Sequence, residues 1–126
     1  MKAIVMRRFG GPEVMDWEEI PTPTPGPGEV LVKVRSVSVN RTLDLDLRAG
    51  LGNYGTTLPH ILGVDPSGEV VEVGSGVARL KVDQRVVAYG GVRCGGCEQC
   101  LRHDYLQCVQ PRMLGVQSWG GYAEYL

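Results

Sequence analysis

All four cysteines of the chain lie within the fifteen residues from Cys94 to Cys108, in the spacing C-x2-C-x2-C-x7-C. Two overlapping C-x-x-C steps allow the thiolates to converge on one point, and the two glycines after Cys94 make the required turn sterically easy. Four thiolates, each with its sulfur about 2.3 Å from the metal, are the usual ligand shell of a structural zinc ion. The spacing therefore predicts that Cys94, Cys97, Cys100 and Cys108 bind zinc, or a metal of similar softness.

Two other arrangements of these cysteines are possible, namely two disulfides or four unrelated thiols. Disulfides would have to join very near neighbours in a chain without a secretory signal, and unrelated thiols rarely crowd in this way. His103 lies between the third and fourth cysteines and could replace one of them as a ligand. Four thiolates already complete a tetrahedral shell, so the cysteine set is the preferred interpretation.

The composition is that of a globular chain of 126 residues, with 43% hydrophobic and 21% charged residues. The formal net charge of −1 argues against a nucleic-acid or anionic-membrane partner, since both favour a basic excess. No apolar run reaches the length of a membrane span, and Met1–Gly10 lacks the apolar core of a signal peptide. These features predict a cytoplasmic protein whose thiols remain reduced and available to a metal.

The distribution of apolar residues predicts a chain of short strands with few short helices. In Glu29–Val39, Val30, Val32 and Val34 are expected on one face, and the residues between them on the other. Leu43–Arg48 fits either a short helix or an irregular turn. Eighteen glycines and eight prolines add many turns, so a mainly β fold, a small barrel or sandwich, is expected. The other predicted strands are Lys2–Met6, Met15–Ile20, Gly68–Val73, Arg85–Tyr89 and Gly120–Leu126.

The remaining glycine-rich, histidine and aspartate positions have simpler explanations than catalysis or binding. Gly74-Ser75-Gly76 lacks the third glycine and the following helix of a dinucleotide-binding loop, so a tight turn is expected. His60 has no nearby catalytic partner at a suggestive spacing, so a surface or packing role is expected. Asp44 and Asp46 are expected to be solvated.

Several motifs together resemble the N-terminal catalytic domain of zinc-type medium-chain dehydrogenases/reductases, which include alcohol dehydrogenases and quinone oxidoreductases. The motifs are G-P-G-E-V-L-V-K-V at 26–34, L-P-H-I-L-G-V-D-P-S-G-E-V-V-E-V-G-S-G-V at 58–77, R-V-V at 85–87, the four-cysteine segment, and G-G-Y-A-E-Y at 120–125. The resemblance implies a GroES-like, partly open barrel over residues 1–126. It also implies a structural zinc in a four-cysteine lobe, residues 94–108.

The sequence departs from this family where other members hold a catalytic zinc. A cysteine is usual at the position of Asn40 or Arg41, and a Gly-His-Glu step at the position of Gly63-Val64-Asp65. Neither asparagine, arginine nor valine is a usual zinc ligand, so no catalytic zinc is expected here. With asparagine at position 40, the chain resembles the quinone-oxidoreductase branch of the family, which reduces activated double bonds or quinones with NADPH. By resemblance, Asn40, Arg41, Thr42 and Asp65 are the candidates to line the substrate cleft. Asp83-Gln84 also replaces the Gly-Asp turn that the family usually has before R-V-V.

The family's enzymes continue into a Rossmann domain with a G-x-G-x-x-G loop, and no such domain is expected in this chain. The resemblance thus implies the catalytic-domain portion of an NAD(P)H-dependent oxidoreductase with a small-molecule substrate, inactive alone. The alternative is a free-standing zinc-stabilised module that binds a partner or self-associates without catalysis. Gly120–Leu126 is expected to be an exposed strand edge that supports a homo-oligomer through Tyr122, Tyr125 and Leu126.

Overall fold

Seven short antiparallel strands form three small sheets in the computed structural model, which describes all residues from 1 to 126. The sheets have the strand orders β1-β2, β3-β4-β5 and β6-β7, and they do not close into a barrel. The predicted mainly β architecture with few short helices is therefore confirmed. The strands are β1 (Lys2–Met6), β2 (Met15–Glu19), β3 (Val30–Val37), β4 (Pro66–Val73), β5 (Arg85–Val87), β6 (Gly91–Val92) and β7 (Arg112–Met113), and the helices are α1 (Leu43–Ala49) and α2 (Glu98–Leu101).

The long strand β3 departs from the simple alternation expected for it. Leu31 and Val32 are both buried, and the pairing with β4 shifts register between these two residues. An irregularity of this kind places two residues opposite one and re-aims the following side chains. Further along the pair, Gly68 of β4 lies opposite Val34, and a Cβ there would clash with the carbonyl oxygen of Lys33. The close approach of the two strands therefore requires glycine.

The segment after β3 forms a helix, which resolves the choice between a helix and an irregular turn. Helix α1 runs from Leu43 to Ala49 and ends at Gly50, whose φ of 72° is the left-handed conformation common after helices. Leu47 packs in the main core with Met6, Leu62 and Val116. The core thus fixes α1 against the segment that precedes β4. Neither α1 nor α2 has the length or apolar character needed to cross a membrane.

The C-terminal residues are paired on both sides, so the expectation of an exposed strand edge at Gly120–Leu126 is wrong. The N–H of Glu124 donates to Lys2 in β1, and the carbonyl of Glu124 accepts from Val34 in β3. Leu126 exchanges two backbone hydrogen bonds with Val32. Tyr122, Tyr125 and Leu126 are partly buried. The segment therefore joins the first two sheets, and its backbone groups are not free to receive another chain.

The turn before β5 has an unusual residue for its backbone conformation. Asp83 has a φ of 70°, a left-handed conformation in which glycine is sterically favoured and aspartate is tolerated. The departure from the Gly-Asp turn therefore leaves the glycine-like conformation in place.

Candidate metal centre and cleft

The four cysteine sulfurs meet at one point in the structure. Their Sγ atoms all lie within 4.8 Å of one another, and none of the four cysteines is in a disulfide. The Cys94 Sγ lies 3.9 Å from the Cys100 Sγ and 3.6 Å from the Cys108 Sγ. A tetrahedron with zinc–sulfur bonds of about 2.3 Å has sulfurs about 3.8 Å apart, so the cluster fits a zinc ion.

The local backbone explains how these sulfurs converge. Gly95 has a φ of 71°, which turns the chain between Cys94 and Cys97. Cys97 is the N-cap of α2, so Cys100 lies on the first turn of this helix. A 3₁₀ turn at Tyr105–Gln107 then returns the chain to Cys108. The cysteine spacing, a glycine turn and one helical turn thus position all four sulfurs.

Backbone N–H groups around the cluster favour thiolates. Hydrogen bonds from the N–H groups of Val109 and Cys100 lower the pKa of the Cys97 thiol to about 6. The N–H of Cys94, 3.5 Å from the Cys108 Sγ, is the main cause of the lowered pKa of Cys108. Burial raises the pKa of Cys100 to about 12. The donors around Cys97 and Cys108 suit negatively charged metal ligands.

Both histidines lie outside this cluster. The exposed His103 has its Nδ1 at 2.7 Å from the Tyr105 hydroxyl, and it does not belong to the four-cysteine cluster. His60 is buried, exchanges backbone hydrogen bonds with Met6, and has no partner at Nε2. Burial lowers the pKa of His60. A packing role for His60 agrees with these contacts.

The second position of interest is a cleft at the end of β3. The Asn40 Nδ2 donates to the Asp65 carboxylate at 3.3 Å, and the hydroxyl of Ser38 donates to the same carboxylate oxygen at 3.2 Å. Val64, the residue before Asp65, is buried in the main core. Asn40 and Asp65 are therefore brought together, whereas the exposed side chains of Arg41 and Thr42 do not line this cleft.

The residues at this cleft do not fit a catalytic zinc. An amide, a valine and one carboxylate replace the thiolate, imidazole and carboxylate groups that zinc prefers. The Asn40 Oδ1 is also occupied, because it accepts hydrogen bonds from the N–H groups of Thr42 and Leu43 at 3.2 and 3.0 Å. Asn40 thus caps the start of α1 with one side-chain atom and holds Asp65 with the other.

Asp44 was expected to be solvated, but it is buried and central to this region. Its carboxylate accepts hydrogen bonds from the Asn40 N–H at 2.8 Å, the Gly63 N–H at 3.2 Å and the Tyr122 hydroxyl at 2.8 Å. Burial, followed by the bond to Asp44, raises the pKa of Tyr122 above its usual range. Asp44 therefore ties α1, the segment before β4 and the C-terminal segment together. The spacing of Asp44 from Asn40, one helical turn, was the available sequence signal.

A G-x-G-x-x-G spacing does occur, at Gly50-Leu51-Gly52-Asn53-Tyr54-Gly55, and the sequence interpretation missed it. In a dinucleotide-binding fold this spacing follows a strand and opens a helix. Here it follows helix α1 and leads into an irregular loop. The spacing therefore does not form a Rossmann fingerprint. Gly74-Ser75-Gly76 lies in the turn between β4 and β5, as expected.

A pocket of about 410 Å³ lies between this cleft and the antiparallel strand pair β6–β7, called here the β6–β7 hairpin, whose connecting residues 93–111 contain the cysteine lobe. Asn40, Val64 and Asp65 contribute to one part of its lining, and Arg93 and Arg112 come from the hairpin and its flank. The sequence interpretation identified the first group only. The arginines could not be placed there from the sequence, because a hairpin more than twenty residues downstream brings them to the cleft.

Residues 26–126 match the family described as the alcohol dehydrogenase GroES-like domain. An NAD-dependent alcohol dehydrogenase of Sulfolobus acidocaldarius is 35% identical over 131 residues, which cover 100% of this chain and 37% of that protein. A crystal structure of an NAD-dependent alcohol dehydrogenase superposes with a TM-score of 0.88 and 42% identity, over 100% of this chain and 36% of that one.

A thermostable alcohol dehydrogenase from Pyrobaculum aerophilum, solved with cobalt and zinc bound, superposes with a TM-score of 0.84 and 37% identity. The match covers 100% of this chain and 38% of that one. The chain thus spans a little over one third of the length of these relatives, with the same fold throughout. On the sequence match and the shared fold, the chain belongs to the alcohol dehydrogenase GroES-like domain family.

Proposed function

We propose that residues 1–126 form the catalytic domain of an NAD(P)H-dependent oxidoreductase that reduces an activated alkene or a quinone. The observation that carries the choice of reaction is the donor set at the cleft, where Asn40 and Asp65 are hydrogen-bonded to each other beside the buried Val64. A Lewis-acid metal would stabilise the alkoxide of a simple alcohol, and this set offers it one carboxylate. A conjugated acceptor delocalises the charge that it receives with the hydride.

The nicotinamide cofactor supplies the hydride in this reaction, and the chain's residues hold the acceptor. The side-chain amide nitrogen of Asn40 carries two hydrogens, and it donates one of them in a hydrogen bond to Asp65. The other is available to a carbonyl oxygen of the substrate, where negative charge develops. The Asp65 carboxylate fixes the amide in this orientation. Arg41 and Thr42 are placed at the exposed rim of α1, where a substrate or a second domain can reach them.

We further propose that Cys94, Cys97, Cys100 and Cys108 hold a structural zinc in the lobe of residues 94–108. Four sulfurs already within 4.8 Å of one another support this assignment, and their free state suits a reducing, cytoplasmic location. In such a site the ion has no open position, so it stabilises the lobe and takes no part in the reaction. Homo-oligomer formation stays a prediction, and the paired segment 122–126 gives no support to a contact through that strand.

We also propose that this chain alone does not oxidise NAD(P)H, since its one G-x-G-x-x-G spacing follows a helix and leads into a loop, unlike that of a dinucleotide-binding fold. The decisive test is a chimera in which residues 1–126 replace the matching segment of the Sulfolobus acidocaldarius relative. We expect the chimera to oxidise NADH or NADPH with quinones or conjugated enones, and the isolated chain to be inactive. Chelator-sensitive oxidation of simple alcohols by the chimera, with no enone or quinone reduction, would contradict the proposed reaction.

A further inference from the structure

Two arginines in the wall of the 410 Å³ pocket have no acidic partner. The three ion pairs of the structure join Arg7 to Glu18, Arg35 to Glu69 and Arg102 to Glu98. Arg93 and Arg112 take part in none of them. Arg112 donates one hydrogen bond to the carbonyl of Gln117 at 3.3 Å, and Arg93 has no hydrogen-bond partner. Both arginines therefore line one cavity with most of their guanidinium donors unused.

The hairpin holds Arg93 close to the cavity wall. A Cβ on Gly91 would approach the Arg93 Nη2 to 2.8 Å, so the guanidinium lies directly against the backbone of β6. Arg93 is partly buried in this position, which weakens the screening of its charge by water. Arg112 is opposite Val92 in the register of β6 and β7, one residue from Arg93. The two positive charges thus lie at neighbouring positions of one strand pair, at the base of the cysteine lobe.

The single carboxylate of the pocket does not neutralise these charges. Asp65 accepts hydrogen bonds from Ser38 and Asn40 and makes no ion pair with either arginine. The pocket therefore combines an amide and a carboxylate at the proposed reaction cleft with two unpaired guanidinium groups on the hairpin. A planar guanidinium group can donate two parallel hydrogen bonds to two oxygens of one carboxylate or phosphate.

We propose that Arg93 and Arg112 form a subsite for an anionic group, a carboxylate or a phosphate, on the small-molecule substrate. This inference rests on the proposed oxidoreductase function and specifies its substrate class. With the anion at the hairpin, the uncharged part of the molecule extends toward Asn40. Asp65 repels an anion bound in the reverse direction, so the subsite also fixes the orientation of the substrate.

The test measures anion binding by this chain without any hydride transfer, so its failure and that of the proposed reaction are distinguishable. The metal-loaded, ¹⁵N-labelled chain is titrated with inorganic phosphate and, separately, with acetate, against sodium chloride at matched ionic strength. We expect saturable amide shifts at Gly90, Gly91 and Met113 with at least one of the two anions. The anion that binds more tightly shows whether the subsite prefers a phosphate or a carboxylate group.

The variants R93Q and R112Q should each weaken binding of the preferred anion about tenfold. The control R79Q removes the same charge from an exposed residue away from the pocket and should leave binding unchanged. R93K and R112K keep the charge but lose the planar fork, and should lie between the wild type and the glutamine variants. D65N removes the repulsion and should strengthen binding two- to threefold, on the order expected for one partly screened charge. The amide spectrum of each variant shows whether it is folded.

Three results would overturn the proposal. The first is shifts with phosphate and acetate that match those with sodium chloride. The second is saturable binding that R93Q and R112Q weaken no more than R79Q does. The third is tighter saturable binding of NADPH at the same amides, which would assign the arginines to the cofactor's phosphates instead of the substrate.

Discussion

The four-cysteine lobe and the Asn40–Asp65 cleft show two different ways of holding a polar centre together. In the lobe, four sulfurs approach one another with little else to fix them, since α2 has four residues and the helix and turn between Cys97 and Cys108 are mostly exposed. In the cleft, Asn40, Asp44 and Asp65 satisfy one another and the surrounding backbone through hydrogen bonds.

The difference teaches that one centre depends on an added ion and the other does not. Four thiolates close together repel one another unless a cation compensates their charge. The cleft carboxylates instead accept N–H and O–H donors from the residues between β3 and α1, the segment before β4 and the C-terminal segment. Loss of metal should therefore affect the lobe alone, and loss of one hydrogen-bonding side chain should affect the cleft.

The largest effect is expected from removal of one metal ligand. Replacing Cys97 with serine should release about one zinc per chain and loosen residues 94–108, because the binding energy of a structural metal is also folding energy. Metal analysis and amide protection in the lobe measure the two consequences. The control His103→Ala should keep the metal, since His103 contacts Tyr105 and lies outside the cluster. Retained zinc in the Cys97→Ser variant would reject the ligand assignment, as would two ions per wild-type chain.

The next effect should come from Asp44, the buried acceptor of the cleft. Asp44→Ala leaves the N–H groups of Asn40 and Gly63 and the Tyr122 hydroxyl without their shared partner, at a cost of about 3 kcal/mol in the free energy of unfolding. Chemical denaturation measures this loss. Asp46→Ala, two residues along the same helix, removes the same charge without these bonds and should cost less than about 1 kcal/mol. Equal losses for the two variants would contradict the central role of Asp44.

A smaller effect, with a characteristic pH dependence, is expected from Tyr122. Its pKa is raised in the folded chain by burial and by the hydrogen bond to Asp44, so the unfolded chain loses this proton at a lower pH. The contribution of Tyr122 to stability is therefore fully present below about pH 10, its unfolded pKa, and decreases as the pH rises further. Tyr122→Phe should lower stability by about 1–2 kcal/mol at neutral pH through loss of that bond.

Stability measured from pH 8 to 11 tests the direction of this dependence. The difference between the wild type and the Phe variant should shrink as the pH rises above about 10. A difference that is constant across the range would mean that Tyr122 titrates as it does in the unfolded chain. Tyr89→Phe is the matched control, because the Tyr89 side chain is 82% exposed and should show no such change.

Much of the fold was predictable because strand periodicity and the cysteine spacing are local signals. Strand β1 and the existence of the lobe follow from residues within a few positions of one another. The state of Asp44 was not predictable, because its burial depends on Gly63 and Tyr122, which are distant in sequence. The prediction of an exposed edge at the C-terminus was wrong for the same reason. Residues 122–126 pair with β1 and β3, and both strands are distant from them in sequence.

The smallest effect concerns Asn40, and it separates its structural role from its proposed role at the cleft. Asn40→Ala removes the acceptor for the N–H groups of Thr42 and Leu43 and should cost about 1 kcal/mol in the free energy of unfolding. Asn40→Asp keeps an acceptor at the start of α1 and should retain most of that stability, but it loses the donor to Asp65 and places two carboxylates side by side. Denaturation of this chain should therefore separate the two variants, with Asn40→Asp the more stable. Acceptor reduction should be lost in both chimeras, since neither alanine nor aspartate has a side-chain N–H for the developing oxyanion. Wild-type activity in the Asn40→Asp chimera would restrict Asn40 to helix capping.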